Sequence, residues 1–325
     1  MRFLFILTGI LATLYGAYWF AGRGAARSGV ESALVHLQDD GWDVSWDDLS
    51  TRGFPSRFDT TITELSLRNP DSRFGWSGAF VQLFALSYLP NRVILALPDQ
   101  TQLIWEGQVV EVSGSGLRAS AALQPALDLP LDTLIAEGRD LQIGGGDTPH
   151  LLVESFVLGL RAAAERPDNS YDIFAQSKNI MLPEHLIAAF GGALPAQISG
   201  LKLDAALALD RQLNRHLGGG PKPQIRRIIL RQLALDWGGA RLEMAGDIVV
   251  GIDGFVEGRI MVKLHDWRLI LEALNNAGII PENLAIASVT MAGALANGHD
   301  LELPLVFQNG RTTLGPFPLG PAPRF

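Results

Sequence analysis

The chain has 325 residues, a formal net charge of -8 at pH 7 and no cysteine. An acidic balance without a Lys/Arg-rich tract argues against a nucleic-acid partner, because neutralising phosphates needs a basic surface. The missing thiols remove disulfides, thiolate metal sites and cysteine catalysis together. Residues of the set AVILMFWYC make up 47% and charged residues 18%, where ~25% charged is usual. That apolar surplus must become a large core or an exposed apolar surface.

Phe3 to Phe20 is 18 residues without a charge, preceded by Arg2 and followed by Arg23 and Arg27. This reaches the lower limit for crossing a ~30 Å hydrocarbon core. Phe3, Leu4, Phe5, Ile6, Leu7, Ile10, Leu11 and Leu14 supply the apolar body. Tyr15, Tyr18, Trp19 and Phe20 cluster at the distal end, as an interfacial aromatic belt does. A signal peptide has a ~7–15-residue apolar region ending in small residues. This run is longer and no clear Ala-x-Ala precedes Arg23, so residues 1–22 are expected to be an uncleaved transmembrane anchor. Ser28-Gly29-Val30-Glu31 matches a capping box, and Val30, Ala33, Leu34 and Leu37 recur at helical spacing. A separate amphipathic helix is therefore predicted over 23–41, stopping at Gly41 and packing on the sheet or lying on lipid.

Trp42, Val44 and Trp46 alternate with Asp43, Ser45 and Asp47, the period of a half-buried strand. Gly53 and Pro55 then turn the chain, and Phe54, Arg57, Phe58 and Asp59 enter a second strand. Alternation recurs at Val81–Tyr88, Val93–Leu97, Leu117–Leu123, Leu151–Leu160 and Tyr171–Ser177. It is clearest at Leu203, Ala205, Leu207 and Leu209, at Val256, Ile260, Val262 and Leu264, and at Leu301, Leu303, Leu305 and Phe307, with charged residues opposite. Asn309-Gly310 is a strong hairpin signal. Some 14 to 18 strands are expected, and as one sheet they would extend roughly 65–85 Å at ~4.8 Å each. Helices are predicted after Pro183, after Asp266 as a cap (Leu269, Ile270, Leu271, Leu274), and over Pro281–Ala296 with Leu284, Met291 and Leu295 inward.

The sign of charge reverses over Asp210–Arg231, which holds Arg211, Arg215, Lys222, Arg226, Arg227 and Arg231 around a Gly-Gly-Gly-Pro run. This reads as a solvated loop between lobes or as a contact for anionic headgroups, each basic residue near such a surface adding about 1 kcal/mol. The histidines His36, His150, His185, His216, His265 and His299 lack metal-ligand spacing. The Gly-rich triplets lack the completing residues of nucleotide loops, and Gly114-Ser115-Gly116 lacks the outer glycines of a nucleophile elbow. No catalytic residue, cofactor site or metal site is assigned.

Gly41-Trp42, the GFPSRFD corner from Gly53 to Asp59, Phe84-Ala85-Leu86-Ser87 and Pro90-Asn91-Arg92-Val93-Ile94 together resemble a proteobacterial family of unknown function. Its members carry one N-terminal anchor and an envelope-facing domain. Leu301–Pro318 is more loosely similar to the AsmA-like superfamily. That resemblance implies a curved, groove-forming sheet linked to phospholipid movement or outer-membrane assembly.

The expected fold is mainly β with a few helices: a long, curved antiparallel sheet after one transmembrane helix. Residues 42–215 and 216–325 form two β-rich lobes, separate or continuous. The expected location is the inner membrane with the body in the periplasm. Two functions stay open. One is a lipid-binding groove lined by Leu203, Leu207, Leu209, Ile260, Val262, Leu264, Leu301, Leu303, Leu305 and Phe307, with bilayer lipid and groove phospholipid as partners. The other is a non-enzymatic scaffold that binds envelope proteins. A hydrolase has no residue to support it.

Overall fold

Residues Arg2–Asp39 form one unbroken helix, α1, of 38 residues. It is long and apolar enough to cross a membrane. The separate helix expected from Ser28 does not exist: no proline interrupts 2–39, and Ser28 lies mid-helix. The stop at Gly41 does form. Gly41 N–H donates to the Gln38 carbonyl and Trp42 N–H to the Leu37 carbonyl, the paired bonds of a Schellman motif.

The structure is a computed structural model. It describes residues 1–145, 148–163, 169–215, 222–278, 280 and 282–324, with the side chains of 148–150 and 282–288 outside the description. The protein is mainly β. Its described strands are β1 (Asp43–Ser45), β2 (Leu49–Arg52), β3 (Arg57–Arg68), β4 (Phe74–Leu86), β5 (Leu89–Ala96), β6 (Gln100–Trp105), β7 (Gln108–Leu123), β8 (Leu131–Gly145) and β9 (Thr148–Ala162). They continue as β10 (Ser170–Met181), β11 (Gln197–Leu209), β12 (Ile225–Trp237), β13 (Ala240–Val250), β14 (Val256–His265), β15 (Asp300–Gln308), β16 (Arg311–Leu314) and β17 (Phe317–Pro321). Three further helices are α2 (Glu184–Ala189), α3 (Trp267–Asn276) and α4 (Glu282–Leu295).

All 17 strands belong to one sheet, and every ladder in it is antiparallel. The sheet is a meander. β1 and β2 share one edge of β3, β5 and β6 share the gap between β4 and β7, and each strand from β7 to β17 pairs with the next. Fifteen rows of strand span about 67 Å at ~4.8 Å per row. The expected lobe boundary at 215/216 falls in the loop between β11 and β12, which are hydrogen-bonded along their length. Asn309 and Gly310 adopt φ of 52° and 69° between β15 and β16, the geometry of a primed turn.

Helices cover the sheet at both ends of one face. Near the N-terminus, Leu34 of α1 packs with Val44, Leu49, Ile62, Leu65 and Val81. Near the C-terminus, Trp267 and Leu271 of α3 and Ala292 of α4 pack on Val262, Leu264, Leu301 and Leu303. The face of α4 differs from expectation: Met291 and Leu295 are exposed while Ala292 is buried, and Leu284 has its side chain outside the described residues. Asp266 precedes α3 without capping it, its carboxylate accepting instead from His299. The last residues curl back, with Val256 N–H donating to the Pro323 carbonyl and Ala322 buried against Ile260 and Phe307.

Leu301 is 1% exposed beneath α3. Leu301→Ala is expected to lower unfolding free energy by about 2–5 kcal/mol through the cavity it leaves, measured by chemical denaturation followed through tryptophan fluorescence.

Candidate functional site

In an antiparallel ladder, residues directly opposite one another point to the same face. Following the register across the sheet therefore reads out one face. One row begins Leu83, Leu95, Ala119, Ala136, Leu158 and Ala175. It continues Leu203, Leu233, Met244, Val262 and Leu303. The neighbouring row runs Ala85, Val93, Ala121, Leu134, Leu160 and Ile173, then Ala205, Leu230, Gly246, Ile260 and Leu305. Both rows are hydrocarbon or glycine throughout.

The opposite face is charged and self-paired. Arg118 pairs with Glu137, Arg241 with Asp236 and Glu243, and Lys263 with Glu302. The same face also carries Phe84, Ile94, Ile135 and Phe174, with Ile94 46% and Phe174 40% exposed. A hollow of about 730 Å³ lies at one end of this outer side, lined by Arg57, Phe84, Leu86, Arg92 and Ile94.

Burial divides the apolar face into three parts. Ile260, Val262, Leu264, Leu301, Leu303 and Phe307 are buried under α3, α4 and the C-terminal tail. As groove lining these six are a correction: they are plugged core, with Leu305 packed against the same clusters. Phe58, Ile62 and Val81 are buried at the α1 end. Between the two covers, from β7 to β11, the floor is open among the described residues, while Leu95 on β5 packs against the α1 cluster and Leu230 on β12 against the C-terminal one. Leu134 is 40% and Leu158 48% exposed, and Leu95, Ala119, Ala136, Ala175, Leu203, Leu207 and Leu233 are half-buried, while Leu209 is buried. Five rows make this open floor about 19 Å wide at ~4.8 Å per row.

Leu134, Ala136 and Leu158 were the part of the floor that sequence reasoning did not single out. The signal was present in the alternation of Leu151–Leu160, but β8 interleaves Ala136 and Gly138 with its leucine. Only the cross-strand register reveals that these small residues continue the leucine rows.

The corner from Gly53 to Asp59 is the dock for α1. Tyr15 Oη lies 3.0 Å from the Pro55 carbonyl and 3.0 Å from Ser87 Oγ, Tyr18 Oη donates to the Ser87 carbonyl, and Trp19 Nε1 donates to the Arg57 carbonyl at 3.0 Å. Gly22 admits the ring of Phe58 so closely that an added Cβ would lie 2.5 Å from it. Arg57 pairs with Asp59 at 2.9 Å, and Trp42 packs in the cluster beneath α1.

The basic stretch is split in two. Arg227 and Arg231 lie on β12, where Arg227 pairs with Asp247 and Arg231 with both Asp172 and Asp204. These two are a correction to the headgroup contact, since their charges are already met on the sheet. Arg211, Arg215 and Lys222 belong to the β11–β12 connection and Arg226 is the second residue of β12, and Arg211 pairs with Asp210. Arg211 hydrogen-bonding, helped by the Gln224 amide, holds the Asp210 carboxyl down at about 2.

Two histidines far apart in sequence meet at the other end of the strands. His265 Nδ1 lies 2.7 Å from Asp300 and His299 Nδ1 2.6 Å from Asp266. The hydrogen bond to Asp300 raises the pKa of His265. Among the described residues no group of three His, Cys, Asp or Glu is placed to hold a metal; His216 and the His150 side chain lie outside them.

A family model described as "uncharacterized protein conserved in bacteria (DUF2125)" matches residues 19–323. The chain belongs to the DUF2125 family. The match begins at Trp19, the residue that ties α1 to the corner, and runs through the entire sheet. No curated protein and no solved structure matches the chain.

Because its folded pKa is depressed, Asp210 contributes stability above its unfolded value near 4, and that contribution is lost as pH falls toward 2. Carboxyl NMR titration of Arg211→Gln is expected to move the Asp210 midpoint upward toward the ordinary aspartate range. An unchanged midpoint would remove Arg211 as the main cause.

Proposed function

We propose that the chain is a membrane-anchored envelope protein whose open apolar floor binds phospholipid or helps it move, in support of outer-membrane homeostasis and without a catalytic step. The observation that carries this reading is the uncovered stretch of two hydrocarbon rows between the α1 and α3–α4 covers, half-exposed at Leu134 and Leu158. Exposed contiguous apolar surface costs free energy in water, and an acyl chain removes that cost at about 25 cal/mol per Å².

Retention of α1 is supported by its contacts. Trp19 is 3% exposed, and cutting after Phe20 would strip the corner of Tyr15, Tyr18 and Trp19 at once. α1 then serves as a single inner-membrane anchor with the body in the periplasm. The mature N-terminus is expected to lie before Tyr15, as read by N-terminal sequencing or intact mass; a terminus after Phe20 would overturn the anchor.

The second reading, a scaffold that binds envelope proteins, is favoured by the closure of the C-terminal third of the floor by the protein's own helices. A photoreactive benzophenone side chain at Leu158 of the full-length protein in its membrane separates the two. The lipid reading expects crosslinks to phospholipid, reduced more than tenfold by Leu134→Glu, since a carboxylate placed on an apolar surface disfavours hydrocarbon by well over about 1.4 kcal/mol. Crosslinks to protein alone would favour the scaffold.

A further inference from the structure

α1 follows β3. Its residues 15–19 bond to Pro55, Arg57 and Ser87, while Leu34 packs with Leu49, Ile62 and Leu65. Residues 3–14 therefore project past the strand ends that carry Pro55 and Ser87, and their side chains are exposed. At that same end, three connections in neighbouring rows present exposed apolar side chains. Phe54 is 58% exposed before β3, Tyr88 62% in the β4–β5 turn, and Leu127 90% in the β7–β8 connection.

These connections are tied to one another and to the helix. Ser87 N–H donates to the Ser56 carbonyl, and Asn91 Nδ2 to the Leu123 carbonyl at 2.6 Å. Phe54 stacks on Phe20 at 6.2 Å and meets Trp19 edge-on at 5.3 Å. The loop carrying Arg211 and Arg215 closes on the Leu127 connection, through Leu131 N–H to the Leu213 carbonyl at 2.7 Å and Arg215 N–H to the Asp128 carbonyl at 3.2 Å. Aromatic and apolar tips at the end where a membrane helix leaves the body are the chemistry of a lipid interface.

We propose that this end of the sheet is a second membrane contact: Phe54, Tyr88 and Leu127 enter the interface of the bilayer that holds α1. The proposal rests on the anchoring of α1. It fixes the body against the membrane at several points, so that the open floor stands beside the lipid surface and does not swing on one helix.

The cysteine-free chain permits single spin labels on the full-length protein in phosphatidylethanolamine–phosphatidylglycerol vesicles. Labels at Tyr88→Cys and Leu127→Cys are compared with Leu11→Cys inside the anchor and with Val109→Cys, an exposed apolar site at the opposite end of β7. The expected result is severalfold protection of the Tyr88 and Leu127 labels from a water-soluble nickel relaxant relative to Val109, with raised oxygen accessibility as at Leu11. A lipid-embedded Leu11 label with Tyr88 and Leu127 as water-accessible as Val109 would overturn the contact and leave the anchor standing. A water-accessible Leu11 label would overturn both.

Discussion

The constraint on which the structure depends is parity. Each strand pairs with the next over a single meander, so a side chain's face is decided by whether its position is odd or even in the register, and a slip of one residue would invert a whole strand. The β11–β12 ladder shows how the constraint is kept. Its register shifts where Leu203 pairs with Leu233 and Ala205 with Leu230, so Arg231 and Gln232 form a bulge. The bulge leaves both leucines on the apolar face and sends Arg231 to Asp172 and Asp204 on the other. The same device bends the sheet.

A face built this way is longer than the helices available to cover it. α1 shields the first rows and α3 with α4 the last ones, each through a defined cluster. α2 and the residues after it contribute only at a strand end, where Leu194 packs with Ala240 and Ala273. The middle rows are left with hydrocarbon on water.

Much of the fold was legible because strands with one wet side announce themselves. The Leu203, Val256 and Leu301 series, the Asn309-Gly310 turn and the length of the apolar helix all follow from periodicity and turn chemistry. What misled was local chemistry overridden by tertiary packing. Ser28 has a capping-box pattern, yet the helix passes through it because Gly22 and Trp19 fasten α1 to Phe58 and Arg57 on the far side of that position. Arg227 and Arg231 read as part of a loop, since their partners Asp247, Asp172 and Asp204 lie 20 to 59 residues away. Of the strands with the strongest alternation, β14 and β15 proved to be covered while Leu203 and Leu207 of β11 stay half-buried, because strong alternation marks a well-packed core as readily as an open groove.

Side-chain size separates the two kinds of occupant an open floor could take. Ala119, Ala121, Ala136 and Ala175 lie in adjoining rows between Leu83 or Leu95 on one side and Leu203 or Leu233 on the other. Alanines interleaved with Leu134, Leu158, Leu160 and Ile173 line the sheet, where a protein-binding face would present aromatic and arginine anchors that carry most of the affinity. The seven tryptophans of the chain are absent from these rows. An apolar floor without a directional group offers little to a protein partner, which needs hydrogen bonds to fix its register. It suits a flexible hydrocarbon chain, which needs none. That difference in directionality, more than the apolar area itself, is what supports the proposed lipid reading over the proposed scaffold.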